Sequence, residues 1–81
     1  MSYKQAIGER LKELLKERKI TQLEFSKRCG ISRITINRII QARNRVVTFE
    51  SLLTICKCLR ISFREFFDCN YFNDIFDKEI E

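Results

Sequence analysis

Apolar residues recur at helical intervals along most of the chain, with polar residues between them. The first such stripe occupies positions i, i+4, i+7 and i+8, and it consists of Ile7, Leu11, Leu14 and Leu15. Residues at this spacing share one side of an α-helix, so the pattern predicts an amphipathic helix. Ser2 and Gln5 precede the stripe with the S-x-x-Q pattern of a capping box. We therefore expect a first helix from about residue 3 to residue 18.

Two shorter helices are predicted within residues 22–41, with a tight turn between them. Thr21 and Glu24 form a second capping box, so a helix should begin just after the threonine. Gly30 should end that helix, because glycine takes the positive φ of a helix C-terminus without strain. Ser32 follows closely and is a suitable N-cap for a third helix. With so short a connection, the two helices should cross at a sharp angle.

The third helix should have one apolar and one polar side. At about 100° per residue, the apolar side consists of Ile36, Ile39 and Ile40. The opposite side carries Ile34, Arg38 and Gln41, and its edge carries Arg33 and Asn37. A helix with such a polar and basic outer face fits the major groove of DNA.

The second half of the chain continues the helical pattern. Thr48 can cap a fourth helix, whose buried stripe is predicted to be Phe49, Leu52, Leu53, Cys56 and Leu59. Ser62 and Glu65 give a third capping-box pattern, which opens a fifth helix whose core residues are predicted to be Phe63, Phe66 and Phe67. In residues 69–81 apolar residues again recur at helical spacing, with acidic residues between them. This segment is therefore a candidate sixth helix. The prediction is an all-α chain of five or six short helices.

Charge divides the chain into two unequal halves. Residues 1–45 hold twelve Lys or Arg and four Glu, a net charge of +8. Residues 46–81 hold four Lys or Arg and seven Asp or Glu, a net charge of −3, which gives +5 for the chain. The basic half is either a solvated face or a face that binds a polyanion, and charge alone does not decide between them.

Composition limits the chemistry that the chain can perform. Its 81 residues predict one domain, without a second one to sense a small-molecule ligand. Histidine is absent and the four cysteines form no C-x-x-C pair, so the common zinc patterns fail and the cysteines are expected to be reduced. There is no phosphate loop and no nucleophile–base signature, so neither an enzyme nor a cofactor is expected. Without a long apolar run or a signal-peptide pattern, we expect a cytoplasmic protein.

The segment QLEFSKRCGISRITINRIIQ, residues 22–41, resembles the helix-turn-helix of Cro- and lambda-repressor-like DNA-binding domains, the XRE family. The resemblance is carried by apolar Phe25, Cys29, Ile31, Ile36 and Ile39, small Ser26, and Gly30. Flanking segments agree as well, so the resemblance covers roughly residues 5–67. It implies a compact five-helix lambda-repressor-like bundle, which we assign to residues 1–67. Residues 68–81 lie beyond the resemblance, and their own pattern predicts an acidic amphipathic segment, a candidate dimerisation element. Phage repressors and the controller proteins of restriction–modification systems are small members of this family.

Two residues depart from the family pattern. Ala42 stands where the family usually has glycine, which leaves the path of the 42–47 connection open. Ile40 stands where an acidic residue is common, which suggests extra burial.

The family resemblance and the helical-wheel arrangement of the third helix together define the candidate site. The residues expected to contact bases are Arg33, Ile34, Thr35, Asn37 and Arg38. The residues expected to contact phosphates are Gln22, Ser32, Gln41, Arg43, Asn44 and Arg45. Ile34 is apolar among polar neighbours, and its branched side chain is suited to packing on a thymine methyl group.

These features favour a transcription regulator that binds a palindromic operator in double-stranded DNA as a homodimer. Dimerisation is assigned to Phe72, Ile75 and Phe76, which either cap the core or pair with another subunit. The alternative is an antitoxin-like or adaptor module of the same fold, whose main partner is another protein.

Overall fold

The computed structural model describes residues 2–43, 47–73 and 75. Its five helices are α1 (Tyr3–Glu17), α2 (Gln22–Cys29), α3 (Arg33–Ile40), α4 (Phe49–Leu59) and α5 (Phe63–Phe67). A sixth helical segment begins at Asn70. Over these ranges there is no β-strand, so the predicted all-α class is confirmed. No helix among the described residues is long and apolar enough to cross a membrane.

A serine or threonine hydroxyl caps the N-terminus of each of the five helices. In each case the hydroxyl oxygen accepts a hydrogen bond from the backbone N–H three residues on, and the caps are Ser2, Thr21, Ser32, Thr48 and Ser62. The first two are complete capping boxes, with Gln5 and Glu24 returning the bond. The predicted third box is only half formed, because Glu65 donates its N–H to Ser62 at 3.1 Å and no return bond forms. These caps explain why the helix starts could be predicted.

Gly30 ends α2 in the left-handed conformation, with φ at 73°. Its N–H donates to the carbonyl of Ser26 at 3.0 Å. A Cβ at this position would meet nothing within 4 Å, so the requirement for glycine is conformational rather than steric. The chain reverses here within the few residues that separate α2 from α3.

Gly8 lets α1 approach the end of α3. A Cβ on this buried glycine would lie 2.6 Å from the carbonyl oxygen of Ile39 and 2.5 Å from that of Ile40. Both atoms belong to the backbone, so they cannot swing aside as a side chain would. The glycine therefore fixes the spacing between α1 and the C-terminal end of α3, and this spacing positions α3 on the molecule.

The core lies between all five helices. Its largest fully buried side chains are Phe25, Phe66, Leu11, Ile36, Ile39, Ile55 and Leu59. The predicted stripe of α4 was partly wrong, because Phe49 is 66% exposed and Leu53 is 37% exposed, whereas Ile55 is fully buried. The buried face follows the i, i+3, i+4, i+7 series that starts at Leu52, and Phe49 projects from the first turn beyond the core.

The fifth helix also departs from the predicted packing. Phe66 is fully buried, Phe63 is half-buried, and Phe67 is 36% exposed. A helix of five residues buries little more than one side of a single turn, so all three rings cannot enter the core.

Arg10 joins α1 to α5. Its Nε donates to the carbonyl oxygen of Phe66 at 2.8 Å, and its Nη2 donates to that of Glu65 at 2.7 Å. Both carbonyls lie at the C-terminal end of α5, where that of Glu65 accepts only a long bond of 3.4 Å from the N–H of Asp68. The guanidinium therefore adds to the C-terminal cap of α5. The side chain is 13% exposed and lies 3.7 Å from the carboxylate of Glu13.

Candidate nucleic-acid interface

The helix α3 turns its apolar side inward and its basic side to solvent. Ile36 and Ile39 are buried, and Ile40 is half-buried against the core. Arg33, Ile34 and Arg38 are exposed, as the helical wheel indicated. Ile34 is 65% exposed, so its side chain is available for an apolar contact outside the chain. The burial of Ile40 gives an intramolecular reason for its departure from the family pattern.

Hydroxyl groups fix the N-terminus of α3. The Oγ of Ser32 accepts from the N–H of Thr35 at 3.2 Å and donates to its Oγ1 at 2.9 Å. Thr35 is half-buried beside this cap. The proton of the Thr35 hydroxyl is left to donate outward, and the α3 dipole favours an anion near this end.

A side-chain hydrogen bond links the two helices of the helix-turn-helix. The Nδ2 of half-buried Asn37 donates to the Oε1 of Gln22 at 3.1 Å. The bond uses the acceptor of Gln22 and leaves both of its amide hydrogens to donate. Asn37 therefore orients Gln22, and it must share its own amide between that glutamine and any base.

One depression runs along the outer face of α3, and a second lies beside its C-terminal end. One is lined by Arg33, Ile34, Asn37, Arg38 and Arg43. The other is lined by Gln5, Glu9, Lys12, Gln22, Ile40, Gln41, Ala42 and Arg43. The structure thus brings three of the candidate phosphate residues together in the second depression. Exposed Arg43 borders both, and the candidates Asn44 and Arg45 lie outside the described residues.

Lys12 is a cation that the sequence analysis did not place at this site. It lies on α1, one turn beyond Gly8, and the close approach of α1 to α3 brings it into the second depression. Gln5, Glu9 and Lys12 share one helical face, but only the packing of Gly8 shows which element that face meets. The carboxylate of Glu9 partly offsets the charge of Lys12 there.

The connection after α3 keeps the conformation that glycine usually provides. Ala42 has φ of 57°, and its N–H donates to the carbonyl of Ile39 at 3.1 Å. The N–H of Arg43 reaches the carbonyl of Arg38 at 2.8 Å, which completes a Schellman-type end. Because alanine carries a Cβ, this left-handed conformation costs about 1–2 kcal/mol. In return, the path places Arg43 between the two depressions.

The exposed arginines of the site are not neutralised within the described part of the chain. The one ion pair there joins Arg10 to Glu13, away from α3. Arg33, Arg38 and Arg43 have no carboxylate within 4.0 Å among these residues. Their charges are available to a polyanion, which favours the second of the two interpretations of the basic half.

Of the candidate dimerisation residues, Phe72 lies against α5. The ring of Phe72 lies 4.7 Å from that of Phe67 and 6.2 Å from that of Phe66, so it packs against α5. Ile75 is half-buried, and Phe76 lies outside the described residues. This position of Phe72 agrees with the core-capping role that the sequence left open.

An apolar strip continues outward from Phe72. It consists of Phe49, Leu53, Phe63 and Phe67, which we call the aromatic strip. Edge-to-face contacts join its rings, with centroids 5.0 Å apart for Phe49 and Phe63 and 6.1 Å apart for Phe63 and Phe67. Three of its members are exposed, which leaves a contiguous apolar surface on the described molecule.

The comparisons with known proteins agree with this geometry. A family model described as the Cro/C1-type HTH DNA-binding domain matches residues 10–71. The matched range includes α2, the turn at Gly30, and α3. Neither the comparison with curated proteins nor that with solved structures gave a match. Because the family match covers most of the chain and both helices of the motif, this chain belongs to the Cro/C1-type helix-turn-helix DNA-binding domain family.

Proposed function

We propose that the chain is a sequence-specific regulator of transcription that binds a palindromic operator as a homodimer. The observation that supports this most is the outer face of α3, where exposed Ile34 lies among arginines without ion-pair partners in the described chain. Such a face offers charge for phosphates and both polar and apolar contacts for base edges. Regulation follows from occupancy, since bound protein blocks polymerase or contacts it from a neighbouring site.

Base recognition is assigned to the N-terminal half of α3. Arg33 is the first residue of the helix and is exposed, so its guanidinium can make the bidentate contact that guanine accepts. Ile34 is suited to a thymine methyl, and the free hydroxyl proton of Thr35 to a base or a phosphate. Arg38, one turn further on, extends the same face. In this assignment Asn37 acts mainly by orienting Gln22.

Phosphate contacts are assigned to residues on both sides of α3. Gln22 offers two amide hydrogens, and Gln41, Arg43 and Lys12 line the depression beside it. The hydroxyl of Ser32 is already hydrogen-bonded to Thr35 within the helix cap. We therefore assign Ser32 a role in orienting the start of α3 towards a phosphate rather than a direct hydroxyl–phosphate contact. Asn44 and Arg45 are assigned here from the sequence alone. If the dimer neutralises about six phosphates, affinity should fall about 10³-fold between 50 and 200 mM salt.

The dimer surface is assigned to the aromatic strip together with Phe72, Ile75 and Phe76. The centroids of the Phe67 and Phe72 rings are 4.7 Å apart, so Phe72 extends the strip. Phe49 is the member with most to gain from burial, because it is 66% exposed as a monomer. A second copy joined by a twofold axis would present two α3 helices to the two half-sites of a palindrome.

The same strip also supports the alternative function, an antitoxin-like or adaptor module. An exposed apolar surface fits a different protein as well as a second copy. Sedimentation of the purified chain separates the two. A dimer that Phe49→Asp dissociates, and Tyr3→Asp does not, supports the homodimer. Tyr3 is a suitable control because it is 51% exposed and outside the strip. A wild-type monomer over the concentrations that bind DNA would contradict the homodimer.

The operator itself is found by selecting bound duplexes from a random pool. We expect enrichment of a palindrome with half-sites about one helical turn, ~34 Å, apart. Enrichment of a single asymmetric site would contradict a symmetric dimer. Binding without any enrichment would contradict sequence-specific recognition.

A further inference from the structure

The C-terminal ends of three helices meet at one basin on the surface. α1 ends at Glu17, α2 at Cys29 and α4 at Leu59, and residues at or near each end line the basin. The lining residues are Arg18, Ile20, Arg28, Lys57, Cys58, Leu59 and Arg60. Among the described residues, none of these lines either depression at α3. The basin is therefore a separate surface from the candidate nucleic-acid interface.

The wall of this basin is basic, with four cations and no acidic lining residue. These cations, which are all exposed, are Arg18, Arg28, Lys57 and Arg60. Within the described part of the chain no carboxylate lies within 4.0 Å of them, since the one ion pair there joins Arg10 to Glu13. Their charges are thus available to an anion from outside the chain.

The helix dipoles account for part of this charge, because cations near helix C-termini stabilise those ends. Each end carries the equivalent of about −0.5 elementary charge, so three ends offset at most about 1.5 of the four positive charges. A surplus of about +2.5 remains. Compensation of the helix ends therefore explains less than half of the charge that the basin carries.

The four cations also do not cap the helix ends by hydrogen bonds. Backbone bonds close two of the ends: the N–H of Ile20 donates to the carbonyl of Leu15, and the N–H of Ile61 donates to that of Cys56, both at 3.0 Å. Arg10 is different, since its guanidinium donates to the end of α5. No such side-chain bond is formed by the basin's cations within the described residues, so their donors are available to a ligand.

We propose that the basin binds a compact polyphosphate, either inorganic or the phosphate chain of a nucleotide. Guanidinium groups bind phosphate oxygens through paired hydrogen bonds, and three of the four cations are arginines. The cations come from three helix ends around one hollow, an arrangement that suits a compact anion better than an extended one. The volume of the hollow, about 590 Å³, is in the range of small-ligand sites. Half-buried Ile20 and Cys58 add apolar surface, on which a nucleotide base can pack.

The ligand and the operator should bind to different parts of the chain. The outer face of α3 contributes no residue to the basin, and the basin contributes none to the depressions at α3. Protein that is saturated with operator should therefore still bind the polyphosphate. The proposal does not depend on which operator the chain reads.

The test is calorimetric titration of the reduced full chain with sodium tripolyphosphate at low salt. We expect saturable binding of one tripolyphosphate per chain, weakened by added salt. Arg28→Gln and Arg60→Gln should each weaken binding about tenfold, because a charged donor is lost from the basin. Arg64→Gln on α5 and Arg33→Gln on α3, both exposed and outside the basin, should bind as the wild type does. Tripolyphosphate should also raise the Tm of the wild type more than that of the two basin variants.

A parallel titration with ATP, without divalent metal, distinguishes the two sources of phosphate. Equal affinity for ATP and tripolyphosphate would assign recognition to the phosphate chain alone, whereas tighter binding of ATP would assign the site to a nucleotide. Three results would overturn the proposal: no saturable binding at low salt, a loss in Arg64→Gln or Arg33→Gln as large as in Arg28→Gln, or loss of tripolyphosphate binding in operator-saturated protein. The last result would show that the duplex itself occupies the basin. The titrations of free protein need no operator, so their outcome is independent of the proposed regulatory function.

Discussion

Replacing Gly8 with alanine tests the packing that positions α3. The new Cβ would lie 2.5 Å from the carbonyl oxygen of Ile40 and 2.6 Å from that of Ile39. A carbon and a carbonyl oxygen are in comfortable contact at about 3.3 Å, so the two helices must separate by about 0.8 Å. Overpacking of this kind costs about 1–3 kcal/mol. Alanine also gains about 1 kcal/mol over glycine in helix propensity, which offsets part of that cost.

We therefore expect Gly8→Ala to lower the free energy of unfolding by about 1 kcal/mol, and Gly8→Val to lower it further. In a domain of this size, 1 kcal/mol corresponds to about 4–8 °C in Tm. Urea denaturation followed by circular dichroism measures the free energy. DNA affinity should fall at the same time, because Ile40, whose carbonyl faces Gly8, lines the same depression as Lys12 and Arg43.

Gly30→Ala is a matched control for the steric argument. Its Cβ would meet nothing within 4 Å, so it loses stability through the positive φ alone, and a larger residue should cost little more than alanine. At Gly8 the cost should instead increase with side-chain size. A Gly8→Val protein that is as stable as the wild type would refute the close approach of α1 and α3.

Three further substitutions test single interactions. Ala42→Gly should raise the free energy of unfolding by about 1 kcal/mol in urea denaturation, because it removes the strain of φ at 57°; a less stable protein would contradict the left-handed end of α3. Arg10→Met should lower that free energy by about 1.5–3 kcal/mol, since two charged hydrogen bonds to α5 are lost, whereas exposed Arg64→Met should change it little. Asn37→Ala should weaken binding by about 0.5–1.5 kcal/mol on operator and non-operator duplexes alike in titrations, because it releases Gln22; a loss confined to one operator position would show instead that Asn37 contacts a base.

The helices and the orientation of α3 could be predicted because their signals are local. Ser2, Thr21 and Ser32 cap helices through bonds to residues three positions on, and the wheel of α3 needs only the sequence of eight residues. Gly30 likewise ends α2 by a conformational preference of its own. Such features are fixed within one or two turns of chain, so sequence spacing is sufficient to find them.

The features that the sequence did not give depend on distant contacts. The role of Gly8 requires the backbone of Ile40, and the role of Arg10 requires carbonyls 55 and 56 residues away. Phe49 follows the apolar spacing of α4, yet it is exposed because the core ends before the first turn of that helix. Lys12 lies at the site because α1 approaches α3 closely, and Gly8 permits that approach. Periodicity identifies an apolar face but does not show what lies opposite each turn.

Substitution of Arg33, the first residue of α3, tests most directly whether this helix reads DNA. The measurement is the dissociation constant of the selected operator, and of its single-base variants, by fluorescence anisotropy at fixed salt. We expect Arg33→Ala to lose about 1–3 kcal/mol and to relax preference at one base pair in each half-site. Arg64→Ala, an exposed arginine on α5, should bind as the wild type does. Equal affinity and equal base preference for Arg33→Ala and wild type would contradict the placement of α3 in the major groove.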